Sequence, residues 1–261
     1  MPTLDHHEVT REIYSFIRRT VEEAAALGVV VGLSGGVDSS LTMALCVNAL
    51  GNDRVLGVLM PTEFTPVEDV EDARELAEQF GVQTRYVNIQ SSCNTLFEDV
   101  GSKQNSAGQK MVRANVYARV RMIMLYYYAN LQNYLVTGTS DRSEALIGFY
   151  TKYGDGGADL FPIIHLYKTQ VRTLARYVGI PEKISQKPSS PQLYPGHKAT
   201  DEIPLEYDKL DPVLVGLFDR EFAPKEVSRL TDVPVKIVEE VLRRFESTKH
   251  KRAFPPMIGK L

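Results

Sequence analysis

The 261-residue chain reads as an α/β protein: a doubly wound, mostly parallel sheet flanked by helices, with a helical C-terminal part. Three observations predict this. Short, unbroken apolar runs alternate with amphipathic stretches of helical length up to Thr137, the pattern of βαβ units whose strands are covered on both faces. Polar residues, Ser34 and Thr139, stand just after two of those runs, where such sheets carry their ligands. Beyond Pro204 the apolar spacing is helical only.

The elements follow in order. Residues 5 to about 27 put Ile13, Ile17, Val21 and Ala24 on one helical face. Residues 29–33 are a buried strand and 38–50 a helix. A second strand, 55–60, is closed by Pro61. Residues 66–80 form a charged amphipathic helix with Pro66 at its start and Gly81 just past its end. A third strand is expected at 85–89, and a mobile loop at the polar, glycine-containing stretch 101–109. A long helix covers 111–130, and 134–137 is a fourth strand. From Pro181 to Pro204, Pro188, Pro191, Pro195 and Gly196 exclude regular structure, and a loop that long is usually functional. Helices return at about 208–218, 223–230 and 234–247. Residues 1–261 are expected to form a single domain.

Composition bounds the function. A hydrophobic fraction of 43% supplies a sizeable core, and a net charge of −3 argues against a broad basic face for nucleic acid. Any polyanionic ligand must therefore meet positive charge focused locally. Cys46 and Cys93 are isolated thiols that offer no disulfide framework and suit a reducing cytoplasm. The N-terminus lacks the apolar core of a signal peptide. No apolar run approaches the ~20 residues that cross a membrane. The expectation is a cytoplasmic protein without membrane or nucleic-acid partners.

Residues 29–40 read Val-Val-Val-Gly-Leu-Ser-Gly-Gly-Val-Asp-Ser-Ser. An apolar strand runs into a tight turn and a helix N-terminus, where stacked backbone N–H groups and the helix dipole favour an anion. Gly35 and Gly36 lack a Cβ and let a phosphate approach the backbone. No lysine completes a Walker loop, and the glycine spacing does not fit a dinucleotide fingerprint. The plain alternative is an ordinary N-cap. A second block, Thr137 to Lys168, is dense in polar groups yet interleaved with aromatics, which suits a partly buried site.

The Ser-Gly-Gly-Val-Asp-Ser run resembles the phosphate loop of the ATP pyrophosphatases. The block Thr-Lys-Tyr-Gly-Asp-Gly-Gly-Ala-Asp at 151–159 resembles NAD synthetases. So do Asn115-Val-Tyr-Ala-Arg119-Val-Arg-Met, Lys168-Thr-Gln-Val-Arg-Thr-Leu-Ala and His250-Lys251-Arg252. The resemblance runs from about residue 10 to 255. It implies an adenine nucleotide alpha hydrolase-like fold and an ammonia-dependent NAD synthetase. In that reaction the nicotinate carboxylate of deamido-NAD attacks the α-phosphorus of ATP, and ammonia then displaces AMP. It implies Asp38, Glu144 and Lys168 as catalytic residues, with Asp38 and Glu144 holding Mg²⁺. ATP, the co-substrate, would be bound by Gly32, Leu33, Ser34, Gly35, Gly36, Val37, Asp38, Ser39, Thr139, Lys168 and Ser190. Ser34, Ser39 and Ser40 would donate to pyrophosphate, and Lys168 would neutralise phosphate charge. Deamido-NAD would be held by Arg119, Lys152, Asp159, His250 and Lys251.

Bland roles exist beside these. Glu144 and Lys168 suit helix starts, and His250 with Lys251 a solvated tail. Arg119 and Arg121 face different ways on a helix, and the resemblance selects Arg119. Lys-Pro-Ser-Ser-Pro-Gln-Leu departs from the family pattern, so Ser189 competes with Ser190. The chain begins almost on its first synthetase helix, leaving no room for the glutaminase some relatives carry. Free ammonia, or ammonia from a separate glutaminase subunit, is therefore expected. A homodimer is expected too, as is a proline-rich segment 187–206 that closes over ATP. The alternatives are another adenylating amidotransferase of the superfamily and a non-enzymatic ATP- or NAD-sensing dimer. A tRNA-thiolating enzyme would want activated cysteine pairs and a basic face.

Overall fold

The structure, a computed structural model, describes residues 4–101, 109–190, 194, 196 and 199–259. The loop expected at 101–109 lies almost wholly outside them, as do residues 191–193, 195, 197 and 198 of the proline-rich segment. Four parallel strands, β1 (Gly28–Leu33), β2 (Val55–Leu59), β3 (Gln83–Tyr86) and β4 (Tyr134–Thr137), pair in the order β3-β2-β1-β4. The chain steps outward from β1 to β3, then returns to lay β4 on the far side of β1. The β1/β4 edge is thus the topological switch point, where a crevice opens at the carboxyl ends of the strands.

Helices cover both faces. On one, α1 (His6–Glu23), α2 (Val37–Leu50), α3 (Val67–Gln79) and, later in the chain, α7 (Lys168–Tyr177) pack Ile17, Leu41, Leu76 and Leu174 with Val29, Val31 and Leu59. On the other, α4 (Gln90–Asp99) and α5 (Lys110–Gln132) bring Cys93, Phe97, Tyr117 and Val120 to Val30, Leu56, Val58 and Val136. Successive strand residues serve opposite faces, which is why β1 is apolar throughout. A third cluster joins α6 (Arg142–Ile147), α9 (Tyr207–Leu214, continued by a π-helical turn), α10 (Pro224–Thr231) and α11 (Val235–Ser247) through Ile147, Leu210, Val227 and Val238.

The third strand differs from expectation. It spans Gln83–Tyr86 rather than 85–89, and α4, unforeseen, follows it. β3 is an edge strand with polar, largely exposed side chains, so no apolar alternation marks it. The apolar Val87 and Ile89 instead turn into the α4–α5 core. α6 and α7 were foreseen only as possible helix starts at Glu144 and Lys168, and α8 (Glu182–Ser185), within the stretch expected to be irregular, was not foreseen. Cys46 and Cys93 are free and buried. Burial pushes their thiols up to about 12 and about 11, so neither is a thiolate at neutral pH. Among the described residues no helix is long and apolar enough to cross a membrane.

Candidate active site

Between β1 and α2 the chain turns through Ser34, Gly35 and Gly36. Gly35 has φ +78°, and a Cβ there would collide with the Asp69 carbonyl of α3. Both conformation and close approach therefore require glycine. Gly36 is different: it caps α2 in extended backbone, and no side chain caps the helix. A Cβ at Gly36 would meet nothing nearer than Ser34 Oγ at 3.4 Å. The chain's own packing does not demand glycine at that place, but an anion reaching the first amides of α2 would. The loop orders itself with its serines. Ser34 Oγ and Ser39 Oγ are 3.1 Å apart, Ser39 Oγ donates to the Gly36 carbonyl at 3.1 Å, and Gly36 N donates to Ser34 Oγ at 3.3 Å.

This loop walls a cavity of about 750 Å³ at the carboxyl ends of β1, β2 and β4, beneath α5. That volume suits small-molecule ligands. Of the residues expected to hold ATP or metal, Gly32, Leu33, Ser34, Gly36, Val37, Asp38, Ser39, Thr139, Glu144 and Ser190 line it. Ser189 lines it too, with its hydroxyl buried and unpartnered. Gly35 shapes the loop without lining the cavity, and Ser40 is buried in α2 away from the wall.

Lys168, expected to meet ATP phosphate, stands among three carboxylates. It is fully buried, and its ammonium does not reach the cavity wall. Nζ instead sits 2.7 Å from Asp38 Oδ2, 2.9 Å from Glu144 Oε1 and 3.1 Å from Asp141 Oδ2. Three helix starts converge here: Asp38 lies in the first turn of α2, Asp141 caps α6 and accepts from Glu144 N at 2.8 Å, and Lys168 opens α7. Burial pushes the Asp141 carboxyl up to about 7 against the pull of Lys168. Burial likewise raises Glu144 well above the usual carboxylate range. Burial alone would lower Lys168, but the carboxylates of Asp141, Asp38 and Glu144 overcome it and hold the ammonium well above its ordinary value.

A buried knot seats this cluster. Asp211 of α9 accepts from Ser143 Oγ at 2.6 Å, and from both N and Oγ1 of Thr169 at 2.8 Å. Ser143 Oγ in turn accepts from Lys168 N at 3.0 Å. Asp141 and Asp211 were not among the candidates. The Asp141-x-x-Glu144 spacing is a helix-start signature that could have marked the first. Nothing local marks the second, whose partners are distant in sequence.

The residues assigned to deamido-NAD divide. Arg119 Nη2 donates to the Lys152 carbonyl at 3.3 Å, and Lys152 Nζ donates to the His250 carbonyl at 2.7 Å, so these three form one chain of contacts. Neighbouring Lys251 lines the cavity and donates to the Gly148 and Tyr150 carbonyls at 2.7 and 2.6 Å. Asp159 stands apart. Its carboxylate accepts from Tyr126 OH at 2.9 Å and from Val136 N at 2.7 Å, fastening the polar block along β4. Two cations outside the candidate set also line the cavity: Arg121, whose Nε donates to the Met60 carbonyl at 3.2 Å, and Lys187.

The chain is 47% identical over 254 residues to the NH3-dependent NAD+ synthetase of Hyperthermus butylicus, covering 97% of this chain and 91% of that one. It is 42% identical over 249 residues to the enzyme of the same name from Methanocaldococcus jannaschii, covering 95% of each. Among solved structures, it resembles the NH3-dependent NAD synthetase from Campylobacter jejuni in complex with the nitrate ion, with TM-score 0.82, 29% identity and coverage of 98% and 100%. It also resembles the NMN synthetase from Francisella tularensis, with TM-score 0.85, 27% identity and coverage of 99% and 100%. The NAD synthase family model matches residues 9–255. A match of that extent makes the chain a member of the NAD synthase family.

Proposed function

We propose that this chain is an ammonia-dependent NAD synthetase, a ligase that couples ATP cleavage to amidation of deamido-NAD. The observation that carries the reading is convergence. The anion-binding loop of α2, the Asp38–Glu144 carboxylates and the Thr139, Thr151 and Lys251 side wall enclose one cavity. A carboxylate is a poor acyl donor. Transfer of AMP from ATP to the nicotinate carboxylate creates a leaving group, and pyrophosphate departs into the loop. Ammonia then attacks the acyl carbon and AMP leaves, giving NAD. The protein's part is positioning and charge stabilisation: amides at the start of α2, with Ser34 and Ser39, receive the charge that develops on pyrophosphate.

The donor set fits Mg²⁺. Asp38 Oδ1 is buried without a hydrogen-bond partner, and both Asp38 and Glu144 line the cavity. Among the described residues no group of three or more His, Cys, Asp or Glu is arranged to hold a metal alone. Two carboxylates completed by phosphate oxygens and water match the habits of this ion. Bound there, Mg²⁺ would supply positive charge to the polyphosphate. The wall needs it: Asp38, Glu68, Asp69, Glu144, Asp155 and Glu202 face Arg121, Lys187 and Lys251. Lys168, one layer behind, bridges the Asp38–Glu144 pair. Arg119, Lys152, Asp159, His250 and Lys251 are assigned to deamido-NAD, and Thr139 and Ser190 to ATP. The chain is read as a single cytoplasmic domain that uses free ammonia or ammonia from a separate glutaminase subunit.

The test is an assay with ATP, Mg²⁺, ammonium and either deamido-NAD or nicotinate mononucleotide, measuring amide product and pyrophosphate. NAD and pyrophosphate should appear in equal amounts with deamido-NAD, and glutamine should not replace ammonium. Absence of pyrophosphate overturns the enzyme reading. Pyrophosphate released only with another acceptor assigns a sibling activity.

A further inference from the structure

Lys187 opens the proline-rich segment and lines the cavity. Its ammonium lies 2.5 Å from Asp69 Oδ1 and 2.6 Å from Asp72 Oδ2, both on α3, and 3.3 Å from the carbonyl of Gly35 in the phosphate loop. Asp72 has a second cation. Lys183 Nζ is 2.8 Å from Asp72 Oδ1 and 2.8 Å from Glu75 Oε2. If Lys187 moved away, Asp72 would keep Lys183. The two aspartates are mostly enclosed, whereas the Lys187 side chain keeps 23% of its surface exposed.

We infer that Lys187 is a ligand of the leaving pyrophosphate, held by Asp69 and Asp72 until polyphosphate occupies the Ser34–Gly36 turn and then shared with it. This rests on the reading that pyrophosphate leaves into that turn, and it adds a residue that the family resemblance did not assign. The argument is one of charge and reach. Of the cations on the cavity wall, Lys187 is in contact with the phosphate loop itself, whereas Arg121 holds the end of β2 and Lys251 the Gly148–Tyr150 backbone. A lysine is a compact charge on a flexible four-carbon stem, so it can turn from one anion to its neighbour by rotamer change alone. The carboxylates keep a strong donor from being drawn into water before polyphosphate arrives. They also leave the loop less attractive to pyrophosphate after turnover than a free lysine would.

The competing role is a strap, in which Lys187 merely ties the proline-rich segment to α3. The two roles predict opposite signs for one substitution. Affinity for Mg²⁺-pyrophosphate and for AMP is measured by titration calorimetry on the full chain, independently of whether NAD is formed. Lys187→Gln should weaken pyrophosphate binding roughly tenfold or more, the loss expected for a charge-assisted hydrogen bond, with AMP binding unchanged. Lys187→Arg should restore most of it. Asp72→Asn, which loosens the hold on Lys187, should tighten pyrophosphate binding several-fold. If Lys187→Gln and Asp72→Asn both weaken pyrophosphate and AMP together, Lys187 is a strap and the inference is overturned. It is equally overturned if the wild-type chain binds no pyrophosphate, or if Lys187→Gln leaves that affinity as it was. Failure of the synthetase reading is registered separately, in the NAD assay.

Discussion

At the scale of the residue, Lys168 is the clearest case of charge placed where water cannot reach. One ammonium faces three carboxylates, two of which also line the cavity. Such a group adds little net stability when intact, yet it is costly to break. Folding moves Asp141 from 3.8 to about 7, chiefly through burial. The folded protein thus binds a proton more readily, and this carboxyl erodes stability as pH rises through that window. Lys168 limits the rise. In Lys168→Met, Asp141 and Glu144 would climb further, and the erosion would extend to higher pH. The substitution should cost about 3–5 kcal/mol at pH 8 and distinctly less at pH 5.5, where protons replace the missing charge. Denaturant unfolding at the two pH values measures this, and equal losses would count against the assignment.

At the scale of the element, the site is made by helix starts. α2, α6 and α7 aim their first turns at one point, and α9 locks the last two through Asp211. Asp211→Ala strands the Ser143 hydroxyl and the Thr169 amide in the core. It should lower stability by roughly 2–4 kcal/mol, as expected for losing buried hydrogen bonds to a charged acceptor. A loss below 1 kcal/mol in urea unfolding would mean the knot is not structural. The elements were unequally legible. β1 and β2 are apolar because both faces are covered, and their sequences say so. β3 is polar because it lies at an edge, so Val87 and Ile89 drew the expected strand past its true end. α4 and α6 are short, and too few turns repeat for a 3.6-residue period to emerge.

At the scale of the whole molecule, α5 presents a row at four-residue spacing: Arg119, then Ile123, Tyr127 and Leu131, all exposed. The three apolar members are 54%, 59% and 67% exposed, and a contiguous apolar stripe of this kind is a candidate contact surface. This row is the proposed dimer surface. Light scattering at micromolar concentration should give twice the chain mass, and Ile123→Glu with Tyr127→Glu should give the monomer. A wild-type monomer removes the proposal. Because Arg119, proposed to hold deamido-NAD, heads the row, the double substitution should also weaken deamido-NAD binding more than ATP binding.

What the sequence determined by itself is local: a strand, a glycine turn and a helix start within twelve residues, and a polar block after a later strand. A phosphate loop is built from consecutive backbone amides, so consecutive residues suffice to announce it. Tertiary structure decided what faces what. It made Lys168 the hub of a carboxylate cluster and gave Asp211 its purpose. It brought Lys187 to the Ser34–Gly36 turn from a segment 152 positions away. These outcomes depend on charge shared between distant elements in a low-dielectric interior, and no periodicity or spacing in one stretch of chain records them.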